Sequence, residues 1–409
     1  MKLYKSDILF LFREIAYVNI LTIQMTFYAI NSLLGFKYGG IEGNSVYLII
    51  SLSSSIIGYL FIFSDLLKMK KVINITAFLF CIPLFLILSY FVSQEFNSVT
   101  NLSIQLFFLF SLPSLLIGFI VGYKGEISLF RRGFVFVALL ITMSIIKISN
   151  DLYSAKFEDF DTIFGGASYQ TLSYTCAFCY SIILFKHLYP ISTKFSFFNL
   201  FNLFFLLVLF SAIILSGGRG GAVIVILNTF LFILFRYRLK GLFIFSLTAF
   251  FLFFLVIVNS SFYEVFLIRG SRVFSYISGS GIDVSETSGR DEIWQFCMPF
   301  VYNRPLFGYG IFSYTTYLGP LYPHNFLLEV LIQGGIFYFI LWLFVLIVFF
   351  IKLRAILIRD KNNILLLTTI VTSFSFLSFS GTYLQNGLFW FSLMVVLFFK
   401  FKPNTLELG

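Results

Sequence analysis

One histidine and a few arginines are the residues whose type and setting could do chemistry. His324 stands in Pro323-His324-Asn325, directly before a long apolar stretch, with Tyr322 nearby; the only other histidine, His187, lies at a basic boundary with Lys186 and Lys194. A neutral imidazole is well suited to take a proton from a hydroxyl group near neutral pH. Arg219 is bracketed by glycines in Ser216-Gly217-Gly218-Arg219-Gly220-Gly221, so backbone and guanidinium can both come close to a ligand. A helix predicted just beyond offers its free N–H groups, a setting that suits phosphate. Arg269, Arg272 and Arg290 gather in a later segment, and planar guanidinium groups grip phosphate oxygens in pairs. Blander readings stand beside these: a flexible hairpin whose arginine reaches lipid headgroups, an Arg290 paired locally with Asp291 or Glu292, a histidine that only ends a helix. Asp159-Phe160-Asp161, with Glu158 and Asp151, has the form of a carboxylate pair that holds a divalent cation, but a solvated acidic loop gives the same pattern. No metal is expected.

The elements that must position these residues are membrane helices. Of 409 residues, 59% are hydrophobic and 11% charged, with 60 Phe and 23 Tyr, against about 25% charged in a soluble domain. A water-soluble globule is excluded. The apolar runs are continuous over whole helix lengths, which excludes a lipid-facing β-barrel with its alternating pattern. Apolar windows fall near 14–36, 46–66, 72–92, 103–122, 133–150, 167–189, 198–216, 220–236, 241–259, 326–351, 364–382 and 384–401. The expectation is an all-α polytopic protein with about 12 transmembrane helices in a single domain, 1–409, whose first span stays in place as a signal anchor.

The excess of 28 Lys and Arg over 18 Asp and Glu is explained by topology rather than by nucleic acid. With the N-terminus cytoplasmic, nineteen of the 28 cations fall in inner loops and both termini lie inside. The remaining nine are Arg13, Lys37, Lys147, Lys156, Arg219, Arg269, Arg272, Arg290 and Arg304, five of them arginines in two outer segments. One is the Gly-rich hairpin; the other is a long outer loop, 260–325, between the ninth and tenth predicted helices. In that loop Ser288-x-x-Asp291 starts an amphipathic helix carrying Trp294, expected to lie on the outer membrane surface. Gln333-Gly334-Gly335 interrupts the next helix early, leaving a stub at 324–332. Cys81, Cys176, Cys179 and Cys297 form no framework and are packing residues.

Taken in order, LSGGRGG (215–221), GRDEIWQFCMPFVYNRPLFGYG (289–310) and YPHNFLLEVLIQGG (322–335) resemble the signature of the O-antigen ligase and polymerase superfamily, membrane glycosyltransferases that use undecaprenyl-diphosphate-linked glycans. The resemblance covers about residues 200–350. It implies a glycosyltransferase-C-like helical bundle in the bacterial inner membrane, with a periplasmic active site and no cofactor. It also implies that Arg219 and Arg290 hold the diphosphate of the donor, that Arg272 assists, and that His324 activates the acceptor hydroxyl. Arg269, Tyr322, Asn325 and Trp294 complete the expected substrate-binding set, and Glu292 and Glu329 are candidates for a second acidic residue. The expected reaction is metal-independent, inverting transfer between a lipid-linked glycan donor and an acceptor. The form of the histidine element favours a polymerase; a ligase that moves polymer to lipid A core is the alternative, and a flippase of lipid-linked oligosaccharide the second. A chain-length regulator and a flippase of the same pathway are the partners the family implies.

Overall fold

The computed structural model describes residues 5–36, 41–69, 104–125, 127, 130–154, 163–186, 197–258, 277–278, 281–282, 290–311, 323–359 and 361–401. The helices are α1 (Lys5–Leu34), α2 (Ile41–Lys68), α3 (Leu112–Lys124, entered through a π-turn at Phe107–Ser111), α4 (Phe130–Lys147), α5 (Ser149–Ser154), α6 (Tyr169–Lys186), α7 (Phe197–Ser216), α8 (Arg219–Val258), α9 (Arg290–Asn303), α10 (Phe326–Arg359), α11 (Leu365–Phe379) and α12 (Gly387–Leu397). Two-residue strands, Ile277–Ser278 and Gly281–Ile282, pair antiparallel in the long segment before α9. Ser45–Lys68, Ile104–Lys124, Arg219–Tyr237 and Phe326–Arg359 are, among the described residues, the four helices long and apolar enough to cross a membrane. Leu200–Ser216, Leu365–Phe379 and Gly387–Leu397 are shorter apolar helices. The chain is a polytopic helical membrane protein.

Two sequence expectations change. The windows 220–236 and 241–259 are not two helices joined by a loop: α8 runs unbroken through Arg236, Arg238 and Lys240. Arg, Leu and Lys are good helix formers and no proline interrupts them, so a cluster of charge is no helix stop. At 1.5 Å per residue α8 is about 60 Å long, about twice a hydrocarbon core. Arg13, counted outside the inner loops, instead donates to Asp65 at 3.2 Å at the end of the bundle where most cations lie. The window at 72–92 lies outside the described residues.

The helices share two ends. At one, Lys124 pairs with the buried Asp65 at 3.1 Å, the Lys400 N–H donates to the Gly122 carbonyl at 2.9 Å, and Lys352 donates to the Leu397 carbonyl. At the other lie the starts of α6, α8, α10 and α12 and the last turns of α1, α4, α7 and α11, where Lys147 donates to the Leu33 carbonyl at 2.6 Å. In the middle α6 is buried along most of its length, packed by α4, α7, α8 and α11. Its Cys176 and Cys179 are buried and free. α3 and α12 meet backbone to backbone: a Cβ at Gly118 would lie 2.4 Å from the Phe391 carbonyl oxygen, and one at Gly122 2.6 Å from that of Val395. This small-xxx-small spacing is how helices approach closely in lipid. Asn228 donates to Ser181 at 2.8 Å and Ser392 to Thr369 at 2.9 Å, so polar groups inside the bundle are joined across helices.

Candidate functional site

The site is built where α10 begins. The Asn325 side-chain oxygen accepts from the N–H groups of Leu327 at 3.0 Å and Leu328 at 3.2 Å, capping two of the donors that a helix start leaves open. The Trp294 indole N–H, from α9, donates to the Pro323 carbonyl at 2.8 Å. His324 is thus fixed on both sides, and its backbone takes φ +52°, the positive value that side chains other than glycine seldom adopt. Such strain persists where the surroundings overdetermine it, and it gathers at functional sites.

Arg290, the first residue of α9, reaches across to the last turn of α11. Its Nη2 donates to the Phe379 carbonyl at 2.8 Å, and its guanidinium lies 5.5 Å from the centre of the Phe379 ring. His324 also hydrogen-bonds the Phe379 carbonyl. A carbonyl only accepts, so the ring N–H donates, and in the neutral imidazole the second nitrogen is then the acceptor. Burial lowers the histidine below its ordinary 6.5, the Arg290 cation lowers it further, and the carbonyl bond opposes both. The ring is therefore neutral at pH 7, the state a general base requires. Arg290 and His324, 34 residues apart in sequence, are brought together on one backbone oxygen.

Arg219 opens α8 at the same end of the bundle. The space left by the missing side chains of the flanking glycines is filled by α6. A Cβ at Gly218 would lie 2.2 Å from Ser173, one at Gly220 2.0 Å from the Tyr174 hydroxyl and one at Gly221 2.1 Å from the Ser173 hydroxyl. The glycines seat α8 against α6, and Ser173 donates to the Gly218 carbonyl at 2.9 Å; the turn is packed rather than flexible. α6 in turn meets α11: Tyr174 sits edge-on to Phe376 at 5.1 Å, and Ser380 donates to Gln170 at 3.3 Å. The last turn of α11 therefore joins the Arg219 turn, through α6, to Arg290 and His324.

The sequence break at Gln333-Gly334-Gly335 is real. Gly335 has φ +63° and ψ −161° inside α10, a combination essentially confined to glycine. The segment after α9 docks into the break. The N–H of Ile336 donates to the Pro305 carbonyl at 2.8 Å, that of Tyr309 to Ile332 at 2.9 Å and that of Gly310 to Gln333 at 2.7 Å. The backbone groups freed by the kink are thereby satisfied, as non-helical backbone at membrane depth demands. Arg304 stacks over Tyr309 at 4.5 Å in this same segment. Below His324, Glu329 is buried among Thr382, Gln333 and Tyr383.

Of the residues singled out from sequence, the structure brings His324, Arg290, Trp294 and Asn325 together and places Arg219 at the same end. Trp294 and Asn325 spend their polar groups on the Pro323 carbonyl and the helix cap. Arg269, Arg272, Tyr322 and the Asp159–Asp161 carboxylates lie outside the described residues. Sequence reasoning missed Phe379, Ser380, Thr382, Tyr383 and Gln170. Ser380-Gly381-Thr382 falls at the end of the apolar window 364–382, but the helix stops at Phe379, and Ser380, Thr382 and Tyr383 are all buried in the turn that follows. A run of hydroxyl groups set between two membrane helices was the available signal.

Residues 204–343 match the family described as O-Antigen ligase. No curated protein and no solved structure matches the chain. The matched stretch contains Arg219, Arg290 and His324 and ends before Phe379, on which the last two converge. It supports the O-antigen ligase and polymerase superfamily and, with it, a role in glycosyl transfer at a membrane.

Proposed function

We propose that the protein is an O-antigen polymerase, joining undecaprenyl-diphosphate-linked repeat units by glycosyl transfer. The observation that carries this reading is the convergence of Arg290 and His324 on the Phe379 carbonyl. An oriented neutral imidazole beside a guanidinium suits a reaction that removes a hydroxyl proton while a diphosphate departs. The acceptor hydroxyl gives its proton to His324, and its oxygen bonds to the anomeric carbon of the donor. The bond from that carbon to the diphosphate breaks, and the leaving charge is met by Arg290 and Arg219. A single displacement of this kind inverts the anomeric centre. Two guanidinium groups answer the leaving charge without a metal ion.

The same reading places the protein in the inner membrane, with both termini cytoplasmic and the site periplasmic. Its support is the segregation of charge: Lys124, Lys352 and Lys400 lie at the end opposite His324, as cytoplasmic cations would. Ligation of finished polymer to lipid A core is the second reading, favoured by the description of the matched family. A flippase is disfavoured because His324 and Arg290 sit at the ends of helices rather than at a midplane.

The test is a gel of lipopolysaccharide from cells lacking the gene, complemented with wild type or with His324→Ala. Core bearing one repeat unit identifies a polymerase. Core with no repeat, while lipid-linked polymer accumulates, identifies a ligase, and loss of both points to transport. Normal polymer from His324→Ala removes His324 from the mechanism.

A further inference from the structure

Glu329 is a carboxyl group 1% exposed to solvent. It lies on the stub of α10 that begins beside His324 and ends at the Gly335 break. Its Oε1 accepts from Thr382 and from the Gln333 amide at 3.2 Å. The Gln333 oxygen accepts from the Tyr383 hydroxyl, and the Tyr338 hydroxyl lies 3.2 Å from that of Tyr383. Thr382 is held in place too, because its hydroxyl oxygen accepts from the Leu384 N–H at 3.2 Å. The network crosses the break in α10, with Gln333 before it and Tyr338 after it.

Three links therefore tie the start of α10 to the end of α11 and the turn after it. They are the bond between His324 and the carbonyl of Phe379, the last residue of α11; Glu329 on Thr382, three residues further on; and the Tyr383 hydroxyl on Gln333. The neighbours of His324 hold its side of that bond, and Glu329 on Thr382 holds the other, keeping the turn after Phe379 against the stub. Burying a carboxyl group is costly unless its hydrogen bonds are made, and here one is made within the stub to Gln333 and one to Thr382, three residues after the carbonyl.

We propose that Glu329 is a positioning residue for glycosyl transfer: through Thr382 it holds the Phe379 carbonyl in register with His324 and Arg290 without touching substrate. This rests on the reading of His324 as the base. The geometry demands an acceptor oxygen at Glu329 rather than a charge, so glutamine should replace it and alanine should not.

The full-length protein, reconstituted in lipid, is assayed with lipid-linked repeat units extracted from cells lacking the gene. Turnover is normalised to monodisperse protein for wild type, Glu329→Ala, Glu329→Gln, Thr382→Val and the Glu329→Ala/Thr382→Val double variant, with His324→Ala alongside. A misplacement of about 1 Å can cost about 100-fold in rate, so Glu329→Ala is expected to lose about that in kcat with KM little changed. Glu329→Gln should keep most of the activity. Thr382→Val should resemble Glu329→Ala, and the double variant should be no worse than either, as for two ends of one link. Wild-type turnover in Glu329→Ala, a glutamine variant as impaired as alanine, or losses that multiply in the double variant would each overturn the proposal. If Glu329→Ala does not fold, Thr382→Val and Glu329→Gln decide it by the same split between kcat and KM. Full activity in His324→Ala would instead overturn the reading of the base, separately from any result at Glu329.

Discussion

Gly335→Ala tests the docking of the 304–311 segment into the broken helix. Two costs arise at once. The backbone at φ +63° and ψ −161° carries a strain of about 1–3 kcal/mol for a residue with a side chain. The new Cβ would also stand 2.4 Å from the Leu306 backbone, and backbone cannot swing aside as a side-chain tip can. Relief requires the segment to lift, which breaks the bonds of Ile336 to Pro305, Tyr309 to Ile332 and Gly310 to Gln333, each worth about 0.5–1.5 kcal/mol. The expected total is about 3–7 kcal/mol, a large share of a typical folding free energy of about 5–15 kcal/mol. Gly35→Ala is the comparator: φ there is +79°, but no atom lies within 4 Å of the Cβ, so it carries only the conformational cost of about 1–2 kcal/mol. Thermal unfolding of both variants in one detergent, followed by their turnover, measures the difference. Equal destabilisation would show that the segment does not hold the break, and the reasoning would fail.

Arg290→Lys should lose about 100-fold in turnover, because an ammonium group reproduces neither the bidentate fork nor the guanidinium's contact with the Phe379 ring. Arg219→Lys is expected to be impaired for the same loss of paired contacts, and full activity in both lysine variants would exclude arginine-held diphosphate. The pH profile of kcat/KM follows from the lowered His324. The neutral base persists to below pH 6.5, so activity should hold at that pH and fall only in more acid solution, with the histidine's contribution to stability lost over the same acid range. An acid limb centred above 6.5 would contradict the burial of the ring.

Much of the fold was legible in the sequence because hydrophobicity reports directly which segments leave water. The windows near 46–66, 103–122, 198–216 and 326–351 all correspond to helices, and Gly334-Gly335 announced the break. The histidine element and the start of α9 at Arg290 were legible for the same reason, standing as polar exceptions at the edges of apolar runs. What escaped was polarity satisfied inside the bundle. Ser380, Thr382 and Tyr383 resemble loop residues until their partners on α6 and α10 are known. The glycines around Arg219 suggested openness because a sequence shows the missing Cβ but not the Ser173 and Tyr174 that fill its place. Arg236 to Lys240 suggested a loop because charge marks water, although charge alone does not end a helix. Gly118 and Gly122 were visible at their spacing, but their partner lies some 270 residues away in α12.

The carbonyl that seats Arg290 and His324 comes after both of them in the chain, on α11, and α12 then closes against α3 at Gly118 and Gly122. During synthesis the arginine and the histidine therefore enter the membrane before the oxygen that orients them exists there. A nascent chain halted after α10 holds every residue of the matched 204–343 stretch and still lacks the oxygen that seats His324. The arrangement of Arg290 and His324 on one oxygen is complete only once α11 and α12 have joined the bundle.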